Sequence, residues 1–463
     1  MSEEQISTAR AHLAIDFLIV GGGLSGLACA IALTRAGHRV VVLEREDGMK
    51  NTGETGFHMP PNMSKVLFHW GLKDRLAGCG LFSHTMLLTK YDSGEFLGTQ
   101  IWDDNVLKES RGDVMVLPHY KLHRVLYDAA VAGGATVRHG AIVAQVDGTK
   151  SEVMLASGEV LTADVIIGAD GPRGTCRKAV MGTRDHGVPI GISMYAATVS
   201  AEHVSQDFNE AHDHIVFVAF GSQRFVISYP IGHGQFSLHY YSHDNATQGE
   251  YGDLPSSDLS NLMIDCEPRL AKIAQYAGPA VRIPIRDYTY SEGWVHKDGR
   301  LVIIGQAAHP FPPGSIQRGA MGIEDAAVLA KLFSHLRSKN EIASFLHAFQ
   351  GLRRPRILHL RVGAMRNVLF SLLEDGEAQQ ARDQAMREKY KSGNPVLDNL
   401  KDSSEWDELR ATFSYDCEDE ADSWWMKWGR LQAKSHERYE MMSSTVDGTI
   451  AIQVSIDVLS RVL

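Results

Sequence analysis

Residues 14–44 read AIDFLIVGGGLSGLACAIALTRAGHRVVVLE, and this stretch decides the fold. Its first apolar run ends at three glycines, which is typical of a buried parallel strand. Helical spacing of apolar residues follows over 24–36 and stops at Gly37. A second, β-branched strand then covers 39–43. Strand, glycine turn, helix and strand in this order predict a βαβ unit.

Gly21, Gly23 and Gly26 fill the pattern GxGxxG inside that unit. Gly21 allows the tight turn, Gly23 lets the backbone approach a pyrophosphate, and Gly26 lets the helix pack on the strand. The N-terminus of the helix stabilises phosphate charge. Glu44 ends the second strand, where a carboxylate can accept hydrogen bonds from ribose hydroxyls. The unit therefore predicts a dinucleotide site, but it does not separate NAD from FAD.

Composition excludes several other classes of protein. The chain has 463 residues, of which 44% are hydrophobic and 22% charged, and its net charge is −10 without a basic run. Nucleic acid is therefore not an expected partner. No apolar stretch predicts a transmembrane segment, and the polar first residues do not resemble a signal peptide. The five scattered cysteines have no metal-ligand spacing, so we expect no metal site, reduced thiols and a cytoplasmic protein.

Two later segments carry more specific information. Ile166–Gly171 reads IIGADG, and Leu301–Pro310 reads LVIIGQAAHP, followed by IEDA at Ile323–Ala326. In this order the segments resemble the class A flavin-dependent monooxygenases, and PPN at 60–62 with WGL at 70–72 is similar to salicylate-hydroxylase-like fungal members. The resemblance implies one FAD and no separate nicotinamide domain. NADH or NADPH would be the co-substrate.

The resemblance also implies an α/β fold. Its core would be a FAD-binding Rossmann-type domain, doubly wound and similar to glutathione reductase, with an inserted antiparallel-sheet substrate domain and C-terminal helices. Short β-branched and aromatic runs between Ile215 and Tyr241 favour that inserted sheet. We expect the FAD-binding domain over 1–185 and 286–370, the substrate domain over 186–285, and a helical region over 371–463.

Further FAD contacts follow from the resemblance. Asp170 belongs to the Asp-Gly motif, and the second segment places Gly305, Gln306, Pro313 and Gly319 near the flavin. The family usually has an acid where this chain has Gln306, and a Gly-Ala pair where it has Arg318-Gly319. Two arginines complete the expected cofactor contacts, and these are Arg45 and Arg124.

Two histidines are the candidate catalytic residues. His239 lies in the expected substrate sheet, and His58 lies in the loop GETGFHMPP at 53–61, which the family places beside the isoalloxazine ring. Either could bind or deprotonate a phenol.

The reaction implied by the resemblance uses NAD(P)H to reduce FAD and O2 to form a C4a-hydroperoxide. That species would hydroxylate a small aromatic, most simply a hydroxybenzoate, with or without loss of its carboxylate, in fungal specialised metabolism. Three alternatives remain at this point. They are an epoxidase or rearranging oxygenase acting on an indole or prenylated scaffold, a NAD-linked dehydrogenase, and a non-catalytic flavin-binding protein. The oligomeric state stays open.

Overall fold

The computed structural model describes residues 10–47, 55–102, 104–202, 215–250, 253–288, 293–392 and 404–431. The strands of this part of the chain form four sheets. In chain order they are β1 (Asp16–Val20), β2 (Arg39–Leu43), β3 (Gly56–Met59), β4 (Leu81–Phe82), β5 (Thr85–Lys90), β6 (Phe96–Ile101), β7 (Met115–Pro118), β8 (Thr136–Arg138), β9 (Val143–Asp147), β10 (Glu152–Leu155), β11 (Val160–Thr162), β12 (Val165–Gly168), β13 (Val188–Ser200), β14 (Ile215–Gly221), β15 (Arg224–Gly232), β16 (Gln235–His243), β17 (Val281–Asp287) and β18 (Leu301–Ile303).

The helices of the described residues surround these sheets. They are α1 (Leu24–Arg35), α2 (Pro61–His69), α3 (Lys73–Ala77), α4 (Asp104–Ser110), α5 (His119–Ala132), α6 (Thr175–Met181), α7 (Leu259–Leu262), α8 (Pro268–Tyr276), α9 (Gln317–Phe333), α10 (Ile342–Ser371), α11 (Glu377–Lys391), α12 (Ser404–Leu409) and α13 (Cys417–Trp424). Short 3-10 turns occur at Gly305–Ala307 and Lys339–Glu341, and π-helical turns occur at Arg410–Ser414 and Trp425–Gly429.

The predicted βαβ unit lies at the centre of a parallel sheet. Its five strands have the order β18-β12-β1-β2-β8, and every neighbouring pair runs parallel. β1 is flanked by β2 and by β12, the strand that ends next to Asp170. Because ligands bind at the carboxyl ends of parallel strands, the three sequence segments meet at one edge of this sheet.

Burial explains why these strands read as apolar runs. Residues Phe17 to Val20 are almost fully buried, and so are Val165 to Ile167 and Leu301 to Ile303. Helices α1 and α9 pack on the sheet and on each other at a close crossing. A Cβ added at Gly322 would lie 2.0 Å from Ser25 Oγ, so the two helices can approach only because glycine stands there. This packing fixes the N-terminus of α1 against the edge of the sheet.

The second large sheet has seven strands in the order β17-β13-β16-β15-β14-β5-β6. The antiparallel pairing expected over 186–285 is present, but β14 pairs with β5 in parallel. The hairpin of β5 and β6 belongs to residues that the sequence interpretation assigned to the FAD-binding domain. The division of the chain into domains therefore remains a proposal, since this sheet draws strands from both expected units.

The two faces of the seven-stranded sheet pack differently. Phe236, Leu238 and Tyr240 of β16 belong to an apolar cluster that includes residues of α7 and α8. Ser237 lies on the opposite face, and its hydroxyl accepts a hydrogen bond from the backbone N–H of Gly56 in β3, at 3.0 Å. The side chains of β16 thus alternate between two faces, with a helical layer on one face and the β3 segment on the other.

The C-terminal part of the described chain is helical, as expected. Helix α13 packs against α9, which places this part of the chain next to the helices on the FAD side. Within the described residues, the longest helices are too polar to cross a membrane.

Candidate cofactor and active site

The three sequence segments converge on one cavity of about 580 Å³. Gly21 and Gly23 line it from the first segment, Asp170 from the second, and Gln306 and Pro313 from the third. Glu44 and Arg45 line the end next to β2. A cavity of this size at the carboxyl edge of a parallel sheet suits an elongated dinucleotide.

The glycine turn is shaped by two close backbone approaches. Gly21 has a φ of +106°, and a Cβ there would lie 2.5 Å from the carbonyl oxygen of Ala169. A Cβ at Gly26 would lie 2.0 Å from the carbonyl oxygen of Gly21, so Gly26 shapes the turn from behind the cavity wall. Gly23 is different, because a Cβ added there meets no atom within 4 Å and would project into open space.

The first turn of α1 is available to a phosphate group. Gly23 is the N-cap residue, and its position provides no side-chain cap for the helix. The N-terminal N–H groups of a helix attract anions when nothing else caps them. Gly23 and the start of α1 are therefore the pyrophosphate-binding candidates.

Glu44 is held in place by backbone donors. Its carboxylate accepts hydrogen bonds from the backbone N–H of Gly22 at 2.7 Å and of Glu46 at 2.9 Å. A carboxylate has additional acceptor capacity beyond these two bonds, so it can still accept from ribose hydroxyls. Arg45 lines the cavity beside it, with a mostly exposed side chain.

Asp170 has one satisfied and one unsatisfied oxygen. Its Oδ2 accepts from the backbone N–H of Cys176 at 2.8 Å, while the buried Oδ1 has no hydrogen-bond partner among the residues that the structure describes. Burial raises the pKa of this carboxyl, although the backbone hydrogen bonds oppose the shift. Gly174 makes the arrangement possible, since a Cβ there would lie 2.1 Å from the Asp170 carboxyl group.

Gln306 stabilises the cavity wall on the flavin side through two hydrogen bonds. Its side-chain amide donates to the carbonyl of Arg318 at 3.1 Å, and its amide oxygen accepts from the N–H of Phe311 at 3.0 Å. Both ends of the amide are therefore used to hold residues 306–318 in one turn, which is named the flavin-side turn. Gln306 and Pro313 line the cavity, whereas Gly305 and Gly319 lie behind it.

Those two glycines act through close packing. A Cβ at Gly305 would lie 2.3 Å from Ser25 Oγ, and one at Gly319 would lie 2.4 Å from the Phe57 ring. The Tyr241 hydroxyl of β16 donates to the carbonyl of Pro313 at 3.2 Å, which fastens the seven-stranded sheet to this turn.

A buried network of charges stands behind the turn. Asp325 accepts from the N–H of Gly305 at 2.9 Å, contacts His309 Nε2 at 2.6 Å and accepts from Arg353 Nε at 2.8 Å. Arg353 also pairs with Glu324 at 2.7 Å. Burial opposes ionisation of Asp325, but its interactions with His309 and Arg353 prevail and hold its pKa at about 2.

The network extends to the N-terminal half of the chain. Asn62 donates to Glu324 at 2.7 Å and to Gln317 at 3.0 Å, and Arg356 pairs with Glu324 at 2.8 Å. Arg177 is also buried, where it pairs with Asp185 and donates to the carbonyl of Ala307. The flavin-side turn is thus positioned by side chains from four distant parts of the sequence.

The structure does not bring Arg124 to the cavity. Its side chain is largely exposed and pairs with Asp128 one helical turn away, at 2.8 Å. The preceding residue, His123, faces inward instead, and its Nε2 contacts the carbonyl of Gly22 at 2.8 Å. Because neighbouring helical residues point in different directions, the one-residue offset separates Arg124 from the turn that it was expected to serve.

The two candidate catalytic histidines lie together, but neither is in the cavity lining. The His58 and His239 rings flank Tyr229, with ring-centre distances of 6.0 and 5.7 Å, and His239 Nε2 lies 3.2 Å from Ser237 Oγ. Burial lowers the pKa of both to about 4, and for His239 the neighbouring His58 adds to the shift. Both imidazoles are therefore neutral near pH 7 but only weakly basic, so they suit hydrogen bonding better than abstraction of a proton.

Sequence reasoning missed several residues around the cavity. Arg173, Arg286 and Tyr288 line it, and Arg173 forms an ion pair with Glu250 on the loop after β16. Arg353 and His309 of the buried network were missed as well. Arg353 could have been found, because it is a charged residue at a position where the spacing of a long helix favours an apolar one. No local sequence pattern indicates the Arg173–Glu250 pair.

The residues present fit FAD. The cavity offers an uncapped helix N-terminus beside a glycine without a side-chain obstacle, a carboxylate at the strand end for a ribose, and the unsatisfied Asp170 Oδ1 for a hydroxyl donor. The flavin ring would meet the turn that Gln306 holds.

Comparison with known proteins agrees with this fit. The family model described as "FAD binding domain" matches residues 14–359. The chain is 29% identical over 371 residues to asperlicin C monooxygenase of Petromyces alliaceus, covering 76% of this chain and 79% of that protein. It is 26% identical over 386 residues to 3-amino-4-hydroxybenzoate 2-monooxygenase PtmB3 of Streptomyces platensis, covering 82% and 93%.

Among solved structures, HpxO of Klebsiella pneumoniae complexed with FAD and uric acid superposes with a TM-score of 0.72. The two sequences are 21% identical, and the match covers 89% of this chain and 98% of that one. This likeness supports the fold described above.

Proposed function

The chain belongs to the FAD-binding-domain family as a class A flavin-dependent monooxygenase, and we propose that it uses NAD(P)H and O2 to hydroxylate a phenolic or hydroxybenzoate-type substrate. The observation that carries the proposal is the convergence of the three segments on one cavity. The first glycines at the helix N-terminus, Glu44 and Asp170 all line that cavity.

The residues of the cavity have separate roles in holding the cofactor. The first turn of α1 binds the pyrophosphate, Glu44 accepts from the adenosine ribose, and Arg45 covers the same end. Asp170 accepts from a hydroxyl group at its unsatisfied oxygen. Gln306 and Pro313 keep the flavin-side turn in shape, while Gly26, Gly305 and Gly319 let the supporting elements approach. Bound FAD supplies the redox chemistry between NAD(P)H, O2 and the substrate.

The substrate is proposed to lie between the flavin-side turn and the seven-stranded sheet. Tyr241 supports this position, because it shares a face of β16 with His239 and reaches the carbonyl of Pro313 on the cavity wall. His239 and His58 are proposed as neutral hydrogen-bond partners for a phenolic hydroxyl. Because both lie outside the lining of the FAD cavity, side chains of the cavity wall would have to move for the ring to reach them. Their buried surroundings exclude water from the reacting ring, which suppresses side reactions.

The substrate class rests on the family and on a relative. PtmB3 is named for 3-amino-4-hydroxybenzoate, which has the ring hydroxyl and carboxylate expected here. The relative named for asperlicin C supports a second candidate, oxygenation of a larger scaffold at the same site. We place both reactions in specialised metabolism in the cytoplasm.

The test is NAD(P)H oxidation by the FAD-loaded protein with hydroxybenzoates, prenylated phenols and indoles, with product masses measured in parallel. A hydroxybenzoate that stimulates oxidation and gains one oxygen atom supports the proposal, and loss of CO2 identifies the decarboxylating variant. Oxygen gained only by the larger compounds supports the second candidate. If every compound gave peroxide and none gave an oxygenated product, both candidate functions would be contradicted.

The His239→Ala variant separates substrate orientation from cofactor binding. It should slow product formation about tenfold or more while FAD content and flavin reduction stay near wild type, as expected for loss of an orienting hydrogen bond. Unchanged turnover with normal coupling to NAD(P)H would remove His239 from the site.

A further inference from the structure

The middle residue of the glycine turn is held by a side chain at each of its two backbone polar groups. The N–H of Gly22 donates to the Glu44 carboxylate at 2.7 Å, and the carbonyl of Gly22 lies 2.8 Å from His123 Nε2. Glu44 directly follows β2, whereas His123 belongs to α5. Glu44 lines the FAD cavity, but His123 is not part of that lining and acts on the turn from behind the cavity wall.

His123 is the donor in its contact with Gly22, because a carbonyl oxygen can only accept a hydrogen bond. Burial lowers the pKa of His123 and the neighbouring His139 adds to the shift, while the Gly22 carbonyl and the Glu44 charge oppose it. The imidazole is therefore mostly neutral near pH 7 and carries its one hydrogen on Nε2. Its buried Nδ1 has no hydrogen-bond partner among the described residues. The ring thus uses its only donor on Gly22.

The bond from His123 also sets the direction of the next backbone N–H. The peptide between Gly22 and Gly23 is trans, and in a planar trans peptide the C=O and the N–H point in opposite directions. Because the carbonyl of Gly22 points to α5, the N–H of Gly23 points away from α5. Gly23 lines the FAD cavity and is the N-cap residue of α1, so this peptide leads directly into the phosphate-binding turn.

A peptide between two glycines needs such support, because glycine restricts its own backbone less than any other residue. A Cβ added at Gly23 would meet no atom within 4 Å, so packing around this residue does not fix the peptide either. A binding group that is already held in its bound orientation loses less conformational freedom when the ligand arrives, and affinity rises accordingly. His123 can therefore change the affinity for a phosphate group that it does not touch.

We propose that His123 is a positioning residue for the FAD pyrophosphate, which holds the peptide between Gly22 and Gly23 so that the N–H groups at the start of α1 face the phosphates. This role rests on the assignment of the cavity to FAD and extends that assignment to a side chain outside the lining.

His38 provides a matched control in the same parallel-sheet region. It is also a buried histidine, and burial lowers its pKa to about 4. Its Nε2 lies 3.2 Å from the carbonyl of Phe333, so it makes the same kind of bond to the backbone. His38 does not line the FAD cavity and does not contact the glycine turn. His38→Leu therefore removes a comparable bond from the core at a distance from the phosphate site.

The experiment measures FAD affinity of the apoprotein by quenching of flavin fluorescence, in wild type and three variants. His123→Leu should bind FAD about tenfold more weakly or worse, because it loses the bond that orients the peptide. His123→Gln should stay within about threefold of wild type, since its side-chain amide can donate to Gly22 from nearly the same position. His38→Leu should lower the melting temperature and leave the FAD affinity of the folded protein unchanged.

Phosphorus NMR at saturating FAD separates positioning from a general loss of stability. The diphosphate resonances of FAD bound to His123→Leu should differ from those in wild type, because the backbone donors around the phosphates are reoriented. The resonances in His38→Leu and in His123→Gln should match wild type.

His123→Asn covers the case in which the leucine variant does not fold. Its shorter amide does not reach the carbonyl of Gly22, so it should lose FAD affinity as His123→Leu does. Equal affinities of the asparagine and glutamine variants, or equal losses for His123→Leu and His38→Leu, would overturn the role of His123. A wild type that binds no FAD would overturn the cavity assignment as well, whereas wild-type affinity in every variant would overturn the role of His123 alone.

Discussion

The FAD cavity has two walls that are built in different ways. The wall at Gly21–Gly26 is made of backbone, and its close approaches are to other backbone atoms, both within the βαβ unit and at Ala169. The wall at Gly305–Gly319 is held by side chains, through Gln306 and the buried charges of Asp325, Arg353 and His309. The first wall depends on the absence of side chains, whereas the second depends on particular side chains from distant residues. The two walls should therefore fail in different ways when residues are replaced.

The largest effect is expected at the side-chain wall, for Arg353→Met. The variant leaves Glu324 and Asp325 buried without their shared cation, and breaking a buried ion pair in this way costs about 3–5 kcal/mol. The free energy of unfolding in urea should fall by that amount. Arg366→Met on the same helix is the control, because it removes an exposed pair that contributes little. Equal losses for both variants would refute the special role of the network.

The next largest effect is expected at the backbone wall, for Gly23→Val. A side chain there meets open space. The free energy of unfolding of the apoprotein should therefore stay within about 1 kcal/mol of wild type. FAD affinity should fall about 100-fold or more, since the side chain would occupy the pyrophosphate position. Flavin fluorescence measures the affinity. Gly26→Val is the contrast, because its clash with Gly21 should reduce both stability and affinity.

A smaller effect is expected for Gln306→Asp, which changes the residue that holds the turn of the side-chain wall. The shorter acid cannot donate to the carbonyl of Arg318, so the turn at 306–318 loses one of its two amide contacts. Loss of one hydrogen bond costs about 1 kcal/mol, and we expect flavin release to become up to about tenfold faster. Gln306→Glu, which keeps the chain length, should show a similar loss. Slower release from the aspartate variant would mean that the acid gains a contact with the ribityl chain.

The smallest effect at neutral pH concerns the histidines beside the turn, because it appears only as the solution is acidified. The pKa of His239 in the folded protein is about 4, below the ordinary value near 6.5, so the unfolded chain binds more protons between these values. Its contribution to stability is complete above about pH 6.5 and is lost as the pH falls towards 4. The unfolding free energy should decline over this window by on the order of 2 kcal/mol per buried histidine. His239→Gln should reduce the slope, and a slope that the variant does not change would contradict the assignment.

The same difference between the walls explains what could be predicted from the sequence. The glycine turn, β1, β2 and Glu44 were predicted almost residue by residue, because a backbone site needs a local pattern of small residues. The strand of the segment LVIIGQAAHP ends at Ile303, and a 3-10 turn follows in which Gly305 approaches Ser25. The parallel sheet, the inserted sheet and the C-terminal helices were confirmed as a fold class.

The side-chain wall was harder to predict. Glu324 and Asp325 belong to the IEDA motif, but their partner Arg353 is 28 residues beyond Asp325 and carries no motif of its own. His123 faces inward and Arg124 does not because of the way α5 is rotated about its own axis. The spacing of apolar residues in the sequence does not determine that rotation. The residues expected to contact FAD and the substrate remain predictions, as do the boundaries of the domains.

The hairpin of β5 and β6 has a consequence for how the protein folds during synthesis. The seven-stranded sheet takes two strands from residues 85–101, four from residues 188–243 and its edge strand from Val281–Asp287. The hairpin's partner β14 is translated more than a hundred residues later, so the hairpin has an unpaired edge while the ribosome makes the chain between them. Closing so long a loop is slow, and exposed strand edges favour aggregation until it closes. Fragments that end near residue 185 should consequently be recovered as aggregates, because two of the seven strands of a shared sheet have no folded state of their own.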